Sequence, residues 1–324
     1  MNLPDGYSIR PTRNEDAPAV AAMLAAVELA DTGATDITTE VVQQDWSGIP
    51  LAEESAVVET VSGDIVGLVD VVNLGYTSVT VYGAVHPDHR GRGIGRALVD
   101  WGEQWIRDRL DCAPADARVV ARHFMRSTNE AGLRLLASTG YEPVRTTYVM
   151  ERDLPDELPE PDWPEGVTYR TFKPGQDEYA VWETVEDSFR DLWGRPQVSF
   201  EQFTERLNTG RFDPELWILA EDGDQLAGVS ICEIDGDKGV VRTLGVRRPW
   251  RKRGLGLALL NQSFRAFVDR GIRRAWLSVD ADSPTGAPRL YSRAGMQVTE
   301  SYILHIKEIR PGVDYSQYKE SDEG

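Results

Sequence analysis

A chain of 324 residues, 41% hydrophobic and 9% aromatic, exceeds the usual size of one core and holds enough apolar material for two. Its 53 Asp and Glu against 35 Lys and Arg give a formal charge of −18, which argues against nucleic acid as a partner and suits either a cationic ligand or a solvated acidic surface. No stretch approaches the roughly 20 apolar residues of a membrane span, and Met1-Asn-Leu-Pro-Asp-Gly6 lacks a signal pattern, so a cytoplasmic protein with no membrane partner is expected.

Gly6–Pro11 reads as a short strand, and Asn14–Pro18 opens a helix through Ala21, Leu24 and Val27. A second helix fits Glu40–Trp46. Strands follow at Ser55–Val61, Ile65–Val72 and Thr77–Val85, with turn signals at Ser62–Asp64 and near Gly75. A glycine-rich loop leads into a helix reaching Leu110, then a strand Ala117–His123, a helix Asn129–Ser138 stopping at Gly140, and strand material from Tyr141 to Glu151. The order β-α-α-β-β-β-α-β-α-β predicts an α/β domain with a mixed sheet.

Glu151–Pro164 is rich in proline and acid and has no apolar periodicity, so residues 153–165 read as a linker between domains at 1–152 and 166–310, with a frayed polar tail at 311–324. Gly166–Thr171 echoes Gly6–Pro11 at an offset of 160, and the second half repeats the first. Helices are expected near Asp177–Phe189, Phe200–Leu207 and Pro284–Ala294. Strands are expected at Leu216–Ala220, Leu226–Glu233, Gly239–Val246, Arg274–Val279 and Gln297–Ile306.

Both halves carry one further device. Val85, Arg90, Gly93 and Gly95 repeat as Val246, Arg251, Gly254 and Gly256, 161 residues on, in strand–turn–helix contexts. The second helix shows its periodicity in Leu260, Phe264, Phe267 and Val268. A helix starting at such a loop has unpaired first amides, and its glycines carry no side chain to keep an anion away. Arg251, Lys252 and Arg253 add charge. One such loop is as readily an ordinary basic turn; two in register are not accidental. Cys112 and Cys232 are too few for a disulfide framework, and His86, His89, His123 and His305 lack zinc-pair spacing, so no metal is expected.

These residues, with Asp280–Met296 in the second half and Asn129–Tyr141 in the first, resemble the signature regions of the GCN5-related N-acetyltransferase (GNAT) superfamily. The resemblance covers nearly the whole chain and implies two tandem domains, each a splayed mixed β-sheet flanked by helices; the tandem mycothiol synthase branch is loosely similar. It implies acetyl-CoA as cofactor. The pyrophosphate would lie on Arg251, Lys252, Arg253, Gly254, Leu255 and Gly256, and in the first half on Arg90, Gly91, Arg92, Gly93, Ile94 and Gly95. Leu244, Val246 and Val85 would take the pantetheine arm. Asn129 and Ser283 are further implied contacts, although Ser283 equally suits the cap of a helix starting at Pro284. The implied acceptor is a small-molecule primary amine that attacks the thioester directly, without a metal.

In the family a Tyr shortly before the motif-closing glycine protonates the leaving thiolate. Aligning Gly295 with Gly140 puts Tyr291 there in the second half and Leu136 in the first. A Tyr of pKa about 10 holds its proton at neutral pH and can serve a thiolate of pKa about 8.5; a leucine cannot. Catalysis is therefore expected in the C-terminal half, with the N-terminal half binding CoA without turnover or acting as scaffold. Tyr291 as a plain core aromatic is the alternative. Mycothiol synthases place a base Glu where this chain has Val240, which leaves Glu233 and Asp235 on the neighbouring strand, each also readable as a solvated acid. His86, His89 and Trp250 read as structural. The rival reading is a CoA-binding sensor without turnover; a third, a P-loop nucleotide-binding protein, fits poorly because no Gly-Lys-Ser or Gly-Lys-Thr follows either loop.

Overall fold

The structure is a computed structural model that describes residues 3–47, 49–190, 198–205, 207 and 212–315. In chain order its elements are β1 (Tyr7–Pro11), α1 (Ala17–Thr32), α2 (Thr39–Asp45), α3 (Leu51–Glu54), β2 (Ser55–Thr60), β3 (Ile65–Leu74), β4 (Ser78–Val85), α4 (Ile94–Arg107), β5 (Val119–Arg126), α5 (Glu130–Ser138) and β6 (Glu142–Asp153). The second half follows with β7 (Val167–Thr171), α6 (Glu178–Phe189), α7 (Phe200–Glu205), β8 (Trp217–Asp222), β9 (Gln225–Asp235), β10 (Lys238–Val246), α8 (Leu255–Asp269), β11 (Arg274–Asp280), α9 (Ala287–Arg293) and β12 (Gln297–Arg310). Each expected helix and strand has a counterpart among the described residues, the Phe200–Leu207 helix as far as Glu205, and the one-turn α3 was not anticipated.

Two compact units result, but they do not follow the expected boundaries. Unit 1 is residues 3–144 with Tyr302–Tyr315, and unit 2 is Arg145–Ser301. In unit 1 the strands run β1-β2-β3-β4-β5 and end on the Tyr302–Arg310 part of β12; in unit 2 they run β7-β8-β9-β10-β11 and end on β6. Only β4–β5 and β10–β11 are parallel among these pairs. The sequence repeat is intact, yet each unit takes its closing strand from the other half of the chain.

The expected linker is also more engaged than its composition implied. Leu154 is buried, its amide donates to Arg273 O at 2.8 Å, and Arg265 binds both Leu158 O and Glu160. Nor is the start of the tail frayed. Val313 N donates to Asp116 O at 2.7 Å and Val313 O accepts from Arg118 N at 2.8 Å, while residues 316–324 lie outside the described set.

Each unit lays one long amphipathic helix on its sheet. Ile94, Leu98, Trp105 and Ile106 of α4 pack with Val69, Val71, Val79 and Val81, and Leu260, Phe264 and Phe267 of α8 pack with Val241, Ala275 and Leu277. Gly239 makes room for the ring of Phe267, which a Cβ there would meet at 2.5 Å. Buried His123 of β5 stands edge-on to Tyr141 at 4.8 Å, and burial, with His305 beside it, lowers its pKa from 6.5 to about 4. Between those values the unfolded chain binds a proton that the folded chain does not, so unit 1 is expected to lose up to about 3 kcal/mol as pH falls from 6.5 to 4. Denaturant titrations at pH 7 and 4.5 should show that loss shrinking in His123→Leu, whatever the substitution does at pH 7; an unchanged loss would assign it to other groups.

Candidate active site

The parallel strands part early in both units. β10 runs beside β11 over Lys238–Val240 only, and β4 beside β5 over Ser78–Thr80 only. Beyond those residues one edge of β10 lacks a ladder partner. Arg247 N donates across to Ala227 O on the β9 side, so by strand alternation the backbone groups of Leu244 and Val246 point to the open side. His86 N to Val66 O orients Val85 in the same way. In β10 a bulge adds to the divergence: Cys232 pairs with Val241 and Ile231 with Thr243, leaving Arg242 extra. β4 passes β3 without any such shift.

Each strand then enters its loop through a 3-10 turn, Pro87–His89 or Arg248–Trp250, and a left-handed glycine begins the helix, Gly93 at φ 89° and Gly254 at φ 91°. The amides of Lys252, Arg253, Gly254, Leu255 and Gly256 have no acceptor among the described residues, the first pairing being Leu257 N to Gly254 O. Those of Gly91, Arg92, Gly93, Ile94 and Gly95 are equally open ahead of Ala97 N to Gly93 O. Such a cluster of N–H groups at a helix start fits a pyrophosphate. A Cβ on Gly256 would lie 2.9 Å from Leu290, and one on Gly95 would lie 3.2 Å from Leu135. The shared contact pairs Leu290 with Leu135, and hence Tyr291 with Leu136.

The loop arginines are engaged within the protein. Arg251 donates from Nε to Val246 O at 3.0 Å and from Nη2 to Ser188 O at 2.9 Å, tying the loop to the end of α6. Arg90 reaches Val85 O at 3.3 Å and both oxygens of Asp31 at 2.8 and 3.2 Å. Both side chains hold their loops in shape. Lys252 and Arg253, by contrast, are exposed and have no ion pair among the described residues. In the first loop Gly91 stands in place of Lys252, and Arg92 is bound to the Tyr7 hydroxyl at 3.1 Å and Asp88 O at 3.0 Å. Lys252 keeps the left-handed backbone of its glycine counterpart, φ 62° against 75°, at a cost of about 1 kcal/mol. The second loop thus presents two uncommitted cations beside its open amides.

His89 hydrogen-bonds the Tyr7 hydroxyl at 2.8 Å, His86 Nδ1 accepts from Asp88 N at 3.3 Å, and buried Trp250 donates to Asp222 at 2.8 Å, so all three are structural. Asn129 spends its side-chain oxygen capping α5, on Gly132 N at 2.9 Å. Ser283 caps nothing: α9 starts later than expected, at Ala287 after Gly286, and the Ser283 hydroxyl meets that of Thr285 at 3.0 Å.

Tyr291 is 8% exposed among the core residues of unit 2, and its hydroxyl has no hydrogen-bond partner among the described residues. Burial pushes its pKa up to about 12. Leu136, at the matching place in α5, is fully buried. Glu233 lies directly opposite Val240, which in turn lies beside Trp276, on the sheet face turned away from α8. Its Oε1 accepts from Arg242 Nε at 2.7 Å and Nη2 at 2.5 Å, and that guanidinium lies 5.5 Å from the Trp276 ring centre. Asp235 sits at the hairpin end, paired with Lys238. The bulge residue Arg242 and the Ser188 anchor left no signal in the sequence. Among the described residues, no three His, Cys, Asp or Glu side chains could hold a metal ion together, and no helix is long and apolar enough to cross a membrane.

Residues 179–296 match the Acetyltransferase (GNAT) family and residues 52–143 the Acetyltransferase (GNAT) domain. The GCN5-related N-acetyltransferase from Sphaerobacter thermophilus, known from its crystal structure, is 46% identical with a TM-score of 0.92, over 98% of this chain and 100% of that one. The mycothiol acetyltransferase of Streptomyces bingchenggensis (strain BCW-1) is 32% identical over 233 residues, 69% of this chain and 71% of the relative. A tandem GNAT protein from the clavulanic acid biosynthesis pathway shares the fold at a TM-score of 0.72 and 17% identity, over 95% and 100% of the two chains. The chain belongs to the GNAT acetyltransferase family, with two such domains in tandem. It is an N-acetyltransferase of a family that uses acetyl-CoA.

Proposed function

We propose that the protein transfers an acetyl group from acetyl-CoA directly to the primary amine of a small molecule, within a ternary complex, and that unit 2 carries the reaction. The observation behind this reading is the Tyr291 hydroxyl, without a hydrogen-bond partner among the described residues, at the position Leu136 occupies in unit 1. Bound acetyl-CoA supplies the activated thioester. The open amides of residues 252–256, with Lys252 and Arg253, would hold its pyrophosphate, and the outward backbone of Leu244 with the Val246 N–H its pantetheine arm, the Val246 carbonyl being taken by Arg251. With a pKa near 12, Tyr291 is a weaker acid than a thiol of about 8.5, so it serves as a hydrogen-bond donor to the departing sulfur and keeps most of its own proton. Glu233, oriented by Arg242, is the candidate acceptor for the amine proton. Unit 1 lacks the donor and binds CoA without turnover or serves as scaffold. Because curated relatives are named for mycothiol, an amine of that class is the first acceptor to try.

Calorimetric titration of acetyl-CoA tests the cofactor assignment. Lys252→Glu/Arg253→Glu is expected to weaken one set of sites by about 10- to 100-fold, whereas Arg92→Glu should leave that set unchanged. Equal loss in both variants would place function in both loops. Val240 and the engagement of Glu233 by Arg242 favour the rival reading, a CoA-binding sensor. Acetyl-CoA binding with no thiol release across a panel of primary amines would establish that rival.

A further inference from the structure

In unit 1, Val69, Val71, Val79, Val81 and Ala121 face the core under α4, so the alternating Asp70, Val72, Thr80, Tyr82 and Arg122 lie on the opposite face of the sheet. Asp70 on β3 is directly paired with Tyr82 on β4, and Arg122 on β5 is paired with Thr80. Ser55 donates its hydroxyl to Asp70 Oδ1 at 2.5 Å, and Thr12 in turn hydrogen-bonds Ser55 at 2.6 Å. These two hydroxyls are buried and orient the carboxylate. No cation pairs with it among the described residues. Burial pushes its pKa up to about 6 against the Ser55 hydrogen bond, with Asp45 of α2 adding to the rise.

Arg122 presents the converse case. Its Nη1 donates to Ser78 at 3.2 Å, its guanidinium lies 5.6 Å from the Phe124 ring centre, and its buried Nε has no partner. Among the described residues no carboxylate pairs with it. Several other half-buried charges are matched by opposite charges: Arg10 with Asp16 and Glu59, Arg170 with Asp177 and Glu221, and Lys307 with Glu103. An unmatched carboxylate and an unmatched guanidinium each bear a desolvation cost that no opposite charge among the described residues offsets. They do not neutralise one another either, since β4 stands between their strands, a span of about 10 Å. The face is open at this point, with Val72 42% and Tyr82 47% exposed.

The patch is not a feature of the shared scaffold. In unit 2 the pair matching Asp70 and Tyr82 is Ile231 and Thr243, and the residue matching Arg122 is Trp276.

We propose that this face of unit 1 binds a small zwitterion, with its ammonium group on Asp70, its carboxylate on Arg122 and its connecting carbons against Tyr82. Binding occurs without turnover, because Leu136 offers no donor to a leaving group. The separation of the two strands selects an ω-amino acid over an α-amino acid. The absence of turnover rests on the reading that unit 2 carries the reaction; the binding itself does not.

The test is calorimetric titration of the full chain at pH 7.5 with glycine, β-alanine, 4-aminobutyrate and 6-aminohexanoate, beside n-butylamine and butyrate as single-charge probes. At least one of the longer amino acids is expected to bind about tenfold tighter than either single-charge probe, and Asp70→Asn and Arg122→Gln should each remove about tenfold of that affinity. Acetyl-CoA titration of the same variants checks their folding, and Tyr82→Phe, which keeps the packing surface, should retain the zwitterion. Three results would overturn the proposal: no binding of any amino acid, binding no tighter than that of the single-charge probes, or binding retained in both charge variants. The last would place the ligand in unit 2.

Discussion

Replacing Tyr291 with phenylalanine is expected to lower kcat by about 10²- to 10³-fold while leaving the KM for acetyl-CoA within about threefold. The substitution removes one oxygen. The ring stays among Met150, Leu277 and Met296 in the unit 2 core, and the hydroxyl makes no hydrogen bond among the described residues, so Tm should not fall. What disappears is a donor aimed where negative charge develops as sulfur departs, and such donors act on the barrier more than on the ground state. An activated aryl thioester, whose thiolate needs less help, should show a much smaller defect. Leu136→Phe in unit 1 is the control and should leave the rate unchanged. A Tyr291→Phe enzyme with wild-type kcat would remove unit 2 chemistry from the proposal.

Ending the chain after Ser301 is expected to unfold unit 1 and leave most of unit 2 standing. The segment removed pairs with β5 from Tyr302↔Arg126 to Arg310↔Val119 and buries Leu304 and His305. It also supplies Lys307, bonded to Glu103 at 2.6 Å and Thr139 O at 2.9 Å, and Arg310, whose guanidinium binds the carbonyls of Leu110, Pro114 and Ala117. Without them β5 becomes a bare edge over a half-covered core, and the loss should reach the whole stability of a small domain, on the order of 5–15 kcal/mol. Hydrogen exchange would read this as lost protection in β5 and α4 with β8–β10 still protected. Residues 1–152 produced alone should likewise fail to melt cooperatively, and a soluble, cooperative fragment would refute the exchange of closing strands.

Much of the fold was legible because its signals are local. Leu260, Phe264 and Phe267 stand at helical spacing and are all buried, and the two glycine loops fall at the strand-to-helix steps where they were expected. The exchange of strands was not legible, since the last strands of two homologous halves satisfy either sheet equally well by pattern. The Arg242 bulge escaped for a numerical reason. The hairpin before β10 turns through Gly236 and Asp237, one residue shorter than Gly75, Tyr76 and Thr77 before β4, and the bulge restores the count, so the loops stay 161 apart. Charge alone could not distinguish Arg251, whose side chain holds backbone carbonyls, from Lys252 and Arg253, which have no ion pair among the described residues. Nor could sequence show that Asp70 and Arg122 lie on one sheet face without counterions.

The exchanged strands also set a schedule for synthesis. β5 is complete at Arg126, but its neighbour begins at Tyr302, so the ribosome must add some 176 residues before unit 1 can close. At about 5–20 residues per second that interval is roughly 10–35 s, during which the open edge of β5 awaits a partner. The nascent chain is therefore a client for holding chaperones throughout translation of its second half, and ribosome stalling downstream of β5 is more hazardous to this protein than stalling upstream of it.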